Sequence, residues 1–254
     1  MTKITHILLF SLLLLIMQLA SCTNQNKEAE NYLISAKTAY ENGRYDEAKL
    51  KIDSIKALFP KNFDVIKQSI TLLNEVRYAE NTKNITFCDS ALKAGEQQLK
   101  MLKSQFNYYK DQYMDHGMYI PKNYPLDNAL GTNSLRSAVE ETGDMFIESV
   151  LSNRSINHNQ LKITRNDTTF VETNKVTADG LAKFIYSFQN EPLSLTFIGN
   201  KTVTTQMSQA SKKGIALSYE LYNLMKQMNE LTIEKQKSLA LIDYLETKKS
   251  KEEK

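Results

Sequence analysis

Residues that break or cross-link a polypeptide are rare in this sequence of 254 residues. It contains 4 prolines, 8 glycines, 2 cysteines and no tryptophan. Because glycine and proline disrupt helices and form turns, their scarcity favours long helices over an all-β or loop-rich chain. Two cysteines cannot build a disulfide framework, which excludes the class of small, cross-linked secreted domains.

Strong net charge and catalytic motifs are also missing. The net charge is +3 and acidic and basic residues are mixed along the chain, so the sequence predicts no nucleic-acid partner. There is no His-Glu-x-x-His zinc motif, no phosphate-binding loop, no dinucleotide-binding glycine motif and no Gly-x-Ser-x-Gly nucleophile. We therefore predict that the chain is not an enzyme and has no catalytic residue, metal site or cofactor.

The N-terminus carries the clearest motif. Lys3 precedes an apolar run from Ile7 to Ala20, and the segment ends in Leu19-Ala20-Ser21-Cys22. The run has 14 residues, whereas a helix needs about 20 to span a bilayer. This layout is typical of a secretory signal. The sequence therefore predicts a signal peptide over residues 1–21, and its removal lowers the net charge from +3 to +2 because it contains one lysine.

The ending Leu-Ala-Ser-Cys resembles the lipobox of bacterial lipoproteins. That resemblance implies cleavage before Cys22, acylation of Cys22, and attachment to the lipid bilayer of the cell envelope, with residues 22–28 as a lipidated tether. Thr23 stands where an aspartate retains enteric lipoproteins in the inner membrane, so the resemblance favours the outer membrane. An ordinary secreted protein cleaved near Ala20 is the alternative.

A helical hairpin is predicted over residues 29–62. Apolar residues recur at helical spacing on both sides of Asn42-Gly43, and the second helix is predicted to end near Pro60. The hairpin resembles one tetratricopeptide repeat through Ala36, Gly43, Tyr45, Ala48 and Pro60. A single repeat cannot bury its own apolar faces. We therefore expect the next segment to cover it with an apolar stripe formed by Phe63, Ile66, Ile70 and Leu73.

A long helical segment is predicted over residues 63–117. From Ile85 onward, residues on one helical stripe alternate at spacings of three and four, which is the pattern of a coiled-coil seam. The seam consists of Ile85, Cys88, Leu92, Gly95, Leu99, Leu102, Phe106, Tyr109 and Tyr113. Gly117 is predicted to end the helix. The seam position of Cys88 predicts a small buried hydrophobe, and a reactive thiol is the alternative.

An antiparallel β domain is predicted over residues 118–207. Three pairs of β-prone runs flank turn residues at Gly143, Asn166-Asp167 and Gly199-Asn200, which predicts three hairpins. The six runs are Leu135 to Glu140, Met145 to Leu151, Leu161 to Arg165, Thr169 to Glu172, Leu193 to Ile198 and Thr202 to Met207. A seventh strand is predicted from Lys183 to Phe188.

A last long helix with a charged tail is predicted over residues 208–254. Ser208 can cap its N-terminus, and a second seam runs from Leu217 to Leu245. The predicted fold class is therefore α+β: long antiparallel, coiled-coil-like helices, an inserted antiparallel β domain and an N-terminal tetratricopeptide-like hairpin. An extended stalk and a compact bundle are both compatible with this pattern.

Tyrosines cluster where the predicted helix gives way to β structure. They are Tyr108, Tyr109, Tyr113, Tyr119 and Tyr124. Tyrosine is favoured in recognition surfaces because it offers contact area at low cost in conformational entropy. The sequence therefore predicts a candidate interaction surface at Tyr108, Tyr113, Tyr119 and Tyr124, and simple packing of the junction is the alternative.

Taken whole, the chain resembles a family of Bacteroidota lipoproteins. The resemblance is carried by the lipobox, by the hairpin segment Gly43-Arg44-Tyr45-Asp46-Glu47-Ala48-Lys49, and by Phe197-Ile198-Gly199-Asn200-Lys201-Thr202 before the last helix. It implies no particular activity. We therefore predict a membrane-anchored envelope lipoprotein that acts as a non-enzymatic interaction or scaffold module for an envelope protein partner. A glycan- or peptidoglycan-binding surface lipoprotein is the alternative.

Overall fold

The computed structural model of the chain describes residues 25–122, 133–152, 157–166, 168–173 and 178–252. Within these ranges the protein is α+β, as predicted, with five helices and eight strands in two antiparallel sheets. It divides into two compact units: unit 1 comprises the residues up to Asp89 and from Glu234 onward, and unit 2 comprises Ser90–Ile233.

Unit 1 begins with the predicted helical hairpin. Helix α1 covers residues 25–41 and helix α2 covers Tyr45–Leu58. Between them Gly43 adopts a φ of 69°, a left-handed conformation that favours glycine. The two helices pack closely because alanines without exposed surface lie at their contact. These are Ala36, Ala39 and Ala48.

Helix α3, Phe63–Lys103, covers the hairpin, and two of the four predicted residues, Ile66 and Leu73, are partly buried against it. Its buried residues in this part are Val65, Ser69, Leu72 and Val76. Phe63 is 76 % exposed and Ile70 is also exposed, so the prediction that both cover the hairpin is wrong. The buried residues are spaced four, three and four positions apart, as on one face of a helix, but this face differs from the one that the sequence predicts. Sequence reasoning missed it because Ser69 is polar; its hydroxyl donates to the Ile66 carbonyl at 2.8 Å, which satisfies it in a buried position.

Helix α5, Gln209–Glu252, runs antiparallel to α3 within unit 1. Three side-chain contacts establish the direction, because the α5 residue number falls as the α3 number rises. They are Tyr78 to Glu246 at 3.1 Å, Asn84 to Ser238 at 2.9 Å and Asp89 to Lys235 at 2.6 Å. The predicted antiparallel arrangement of the long helices is therefore confirmed here. Cys88 is fully buried, as its seam position predicts.

Unit 2 contains the end of α3 and a four-stranded sheet. The strands are β1 (Phe106–Tyr109), β2 (Met118–Pro121), β3 (Ser134–Glu140) and β4 (Met145–Val150), in the order β1-β2-β3-β4. The prediction of one helix extending to Gly117 is wrong, because α3 ends at Lys103. Phe106, Tyr109 and Tyr113 match the heptad by spacing, but Phe106 and Tyr109 lie in β1, where aromatic residues gain cross-strand partners.

A second sheet follows with the order β6-β5-β7-β8. Its strands are β5 (His158–Arg165), β6 (Thr168–Thr173), β7 (Ser194–Gly199) and β8 (Val203–Gln206). The three predicted hairpins are therefore present as β3–β4, β5–β6 and β7–β8.

The predicted seventh strand is wrong, because its residues belong to helix α4, Ala178–Ser187, and the turn after it. The aromatic residues at 184, 186 and 188 alternate as in a strand. The buried residues Leu181, Ala182 and Ile185 instead follow helical spacing.

One core joins both sheets with α4 and α5 in unit 2. Its fully buried members include Leu135 from β3, Ile163 from β5, Phe197 from β7 and Ile215 from α5. Two hydroxyl contacts cross this core between α5 and β3. Ser211 donates to the Leu135 carbonyl at 2.6 Å, and Ser137 bonds to Ser218 at 2.9 Å.

The N-terminus of α5 is capped as predicted. The amide of Ser211 donates to the Ser208 hydroxyl oxygen at 3.1 Å, which satisfies one of the free amides of the first turn. In the ranges that the structure describes, no helix combines the length and the apolar character that crossing a membrane requires.

Candidate functional site

The β1–β2 hairpin brings two of the predicted tyrosines together. Tyr108 on β1 lies directly opposite Tyr119 on β2. Their ring centroids are 5.2 Å apart with the planes tilted by 50°, a separation within the range of favourable aromatic pairs. We call this pair, with the exposed Tyr109 and Tyr113, the tyrosine surface.

The four residues of the tyrosine surface differ in exposure. Tyr113 is 87 % exposed, Tyr108 is 50 % exposed and Tyr109 is 47 % exposed. Tyr119 is half-buried and packs against the core of unit 2. Among the described residues, no ring contact joins Tyr113 to the other tyrosines. The structure therefore brings Tyr108 and Tyr119 into contact and leaves Tyr113 in the neighbouring loop, whereas Tyr124 lies outside the described residues.

A carboxylate holds the Tyr108 side chain in place. The Tyr108 hydroxyl donates to Glu141 Oε2 at 3.1 Å, and the amide of Gly117 donates to the same oxygen at 3.2 Å. Lys110 Nζ lies 3.8 Å from this oxygen. The bonds from Gly117 and Tyr108, with the charges of Lys110 and His116, lower the pKa of Glu141. Glu141 is therefore ionised at neutral pH and a strong acceptor.

The same contacts act on Tyr108 in the opposite direction. Partial removal from water, followed by the hydrogen bond and the negative charge of Glu141, raises the pKa of Tyr108 above its usual value. Tyr108 is thus a protonated donor at neutral pH. Its hydroxyl is bonded to Glu141, and half of the side chain remains open to solvent.

Gly117 is required by the position of the Tyr108 ring. A Cβ atom at residue 117 would lie 2.5 Å from Cε2 of Tyr108 and closer still to its hydroxyl oxygen. These separations are far below a van der Waals contact, so only glycine allows this approach. Gly117 therefore admits the Tyr108 side chain. The prediction that Gly117 ends a helix is wrong, because α3 already ends at Lys103.

Two further contacts define the edges of the tyrosine surface. Lys103 Nζ, in the last turn of α3, lies 4.3 Å from the centroid of the Tyr119 ring, so a cation covers one face of that ring. The hydroxyl of Tyr109 donates to Asp111 Oδ2 at 3.2 Å. Tyr119 is thus largely committed to internal contacts, and Tyr108, Tyr109 and Tyr113 present the accessible aromatic area.

Sequence reasoning located the tyrosines but missed Lys103, Gly117 and Glu141. Gly117 and Glu141 join the site through the β1–β2 and β2–β3 pairings, and Lys103 reaches Tyr119 from the last turn of α3. No short sequence motif reveals either arrangement. One local signal bears on Glu141: the turn residues Thr142-Gly143 end β3 at Glu140, which places the Glu141 carboxylate at the end of the strand that pairs with β2.

The groups of the site are phenols, the carboxylates of Glu141 and Asp111, and the lysines Lys103 and Lys110. In the described ranges no group of three or more His, Cys, Asp or Glu residues is placed to hold a metal ion. Cys22, the predicted lipidation residue, lies outside the described residues.

No family model, curated protein or solved structure matches this chain.

Proposed function

We propose that this chain is a non-enzymatic interaction module of the bacterial cell envelope, anchored by lipid on Cys22 and recruiting a protein partner through the tyrosine surface. The observation that carries the binding role is the half-exposed Tyr108 ring, held by Glu141 and admitted by Gly117. A side chain ordered before binding loses less conformational entropy when a partner arrives.

The anchoring role rests on the sequence Leu19-Ala20-Ser21-Cys22 and its resemblance to a lipobox. Two or more acyl chains are enough for stable attachment, whereas one chain binds only weakly. Thr23 supports placement in the outer membrane. Incorporation of labelled palmitate into the wild-type chain, and its loss in Cys22→Ser, tests this part. Equal labelling of both chains would contradict it.

The binding role is tested by photocrosslinking in intact cells. A photoreactive phenylalanine replaces Tyr113 in one variant and Tyr244 in a matched control. Tyr244 is also a well-exposed tyrosine, at 60 %, but lies in unit 1. We expect a defined protein adduct from position 113 and none from position 244.

The partner identified in that adduct is then purified and its affinity measured. We expect Tyr108→Ala to weaken binding on the order of tenfold, because truncated interface tyrosines are frequent hot spots. Tyr244→Ala should leave the affinity unchanged. Equal adducts at both positions, or equal affinities of both variants, would overturn the binding role.

The glycan alternative has one observation in its favour. The half-exposed Tyr108 ring lies beside the ionised carboxylate of Glu141, and sugars bind where an aromatic face adjoins a hydrogen-bonding group. Sedimentation of the purified chain with isolated peptidoglycan tests it. Sedimentation that Tyr108→Ala abolishes, without any protein adduct at position 113, would replace the protein partner by a glycan.

A further inference from the structure

Two large apolar side chains are exposed on either side of the turn between α2 and α3. Leu58, the last residue of α2, is 57 % exposed, and Phe63, the first residue of α3, is 76 % exposed. Phe63 is at the start of the stripe that the sequence predicts to be buried against the hairpin. Exposure of both residues at one turn creates an apolar tip that the packing of unit 1 leaves open to solvent.

The tip lies next to the beginning of α1. Asn62, in the turn, donates from Nδ2 to Oδ1 of Asn26 at 3.1 Å. Cys22 precedes Asn26 by four residues. Because a fully extended chain spans at most about 3.6 Å per residue, the Cα atom of Cys22 lies within about 14 Å of that of Asn26. Whatever path residues 22–25 take, a lipid on Cys22 is therefore held close to this turn.

The residues around the tip carry an excess of positive charge. Over residues 56–67 there are three lysines, Lys56, Lys61 and Lys67, and one acid, Asp64. All three lysines are exposed and none is in an ion pair with a described residue. The beginning of α1 adds Lys27 against Glu28 and Glu30. Apolar side chains combined with lysines are the composition of segments that lie in the interface of an anionic membrane.

We propose that the α2–α3 turn is a membrane-contact surface, with Leu58 and Phe63 entering the interfacial region of the leaflet that holds the acyl chains of Cys22, and Lys56, Lys61 and Lys67 facing its anionic headgroups. This inference rests on the proposed acylation of Cys22. The anchor makes the turn meet the membrane at high local concentration, so two apolar side chains suffice where they could not bind a membrane alone.

The absence of tryptophan from the chain allows a direct test. Phe63→Trp places a single fluorescent indole at the tip, and Phe87→Trp is the matched control. Phe87 is also an exposed phenylalanine of α3 in unit 1, at 63 %. It lies 24 residues further along the helix, about 36 Å at 1.5 Å per residue. Leu58→Trp provides an independent probe on the other side of the turn.

Each full-length variant is expressed with its leader in a bacterium, labelled with palmitate, and reconstituted into vesicles of phosphatidylethanolamine and phosphatidylglycerol. The quencher is a phosphatidylcholine brominated near the ester end of its acyl chains, because interfacial segments enter only about 5–10 Å. We expect the Phe63→Trp and Leu58→Trp variants to lose most of their indole fluorescence in brominated vesicles. The Phe87→Trp variant should lose almost none.

The outcomes separate this inference from the function it rests on. If the variants carry palmitate but Phe63→Trp is quenched no more than Phe87→Trp, the membrane-contact surface is refuted and the lipid anchor stands. A tip that binds a protein and not the membrane would give the same result. If no palmitate is incorporated, the proposed anchor fails and the membrane contact fails with it.

Discussion

Gly95 in α3 offers a quantitative test of how α3 and α5 pack within unit 2. It is buried, and a Cβ atom at this position would lie 3.1 Å from Cγ and 3.2 Å from Sδ of Met228 on α5. Carbon atoms prefer separations of about 3.5–4.0 Å. The change Gly95→Ala therefore forces the Met228 side chain to move by a few tenths of an ångström.

Two effects of opposite sign set the magnitude. Alanine in place of glycine inside a helix stabilises the folded state by about 1 kcal/mol. Overpacking a filled contact costs about 1–3 kcal/mol, and the lower end applies here because methionine is flexible. We therefore expect Gly95→Ala to change the free energy of unfolding by about zero in the wild-type chain. In a Met228→Ala background, where the contact is gone, the same change should stabilise by about 1 kcal/mol.

The coupling energy is measured with a double-mutant cycle by urea unfolding followed by circular dichroism, with unchanged m values as a check on each variant. Gly180→Ala in α4 is the control, because its Cβ would meet Phe170 at an ordinary 3.6 Å. It should show no dependence on Met228. A Gly95–Met228 coupling below about 0.5 kcal/mol, the usual limit of additivity, would refute the contact between these two residues.

Three other substitutions test the site and the core. In the wild type, the lowered pKa of Glu141 keeps its bond to Tyr108 intact down to the usual glutamate pKa of about 4.3, and the bond is lost only as the pH falls further. The NMR signals of the Tyr108 ring should therefore change with pH below that value. In Glu141→Gln this pH dependence should disappear. Gly117→Ala should displace the Tyr108 ring and return the Tyr108 pKa toward its usual value, measured by ultraviolet titration against Tyr108→Phe; an unchanged pKa would contradict the steric argument. Phe197→Ala should destabilise by about 3–5 kcal/mol in urea unfolding because Phe197 is fully buried, and a loss below about 1 kcal/mol would exclude its place in the core.

Elements with local signals were predicted well from the sequence. Gly43 follows α1 with a positive φ that favours glycine, so a single residue marks the end of the helix. Ser208 caps α5 by accepting a bond from Ser211, three residues further along the chain. The hairpins β3–β4, β5–β6 and β7–β8 were found because each strand pair flanks a short turn. In each case the interactions that decide the structure lie within a few residues of one another.

Elements decided by distant contacts were predicted poorly. The spacing of Phe106 and Tyr109 fits a heptad, yet pairing of β1 with β2 outweighs that periodicity. The error after Lys183 is of a different kind: the aromatic residues alternate as in a strand, but Leu181, Ala182 and Ile185 show a helical period that is itself local. For the tyrosine surface, the aromatic residues were visible in the sequence, but Glu141 reaches Tyr108 across 33 positions. Such a contact follows from strand register, which composition does not encode.

The two hydroxyl contacts between α5 and β3 have a consequence for the uniqueness of the fold. Leucine and isoleucine contacts would tolerate a shift of α5 along the sheet, since apolar surfaces are not directional. A shift by one turn would separate Ser211 from the Leu135 carbonyl and Ser137 from Ser218. Each such hydrogen bond contributes about 0.5–1.5 kcal/mol to stability. The two bonds thus favour the observed axial setting of the helix over one displaced by a turn.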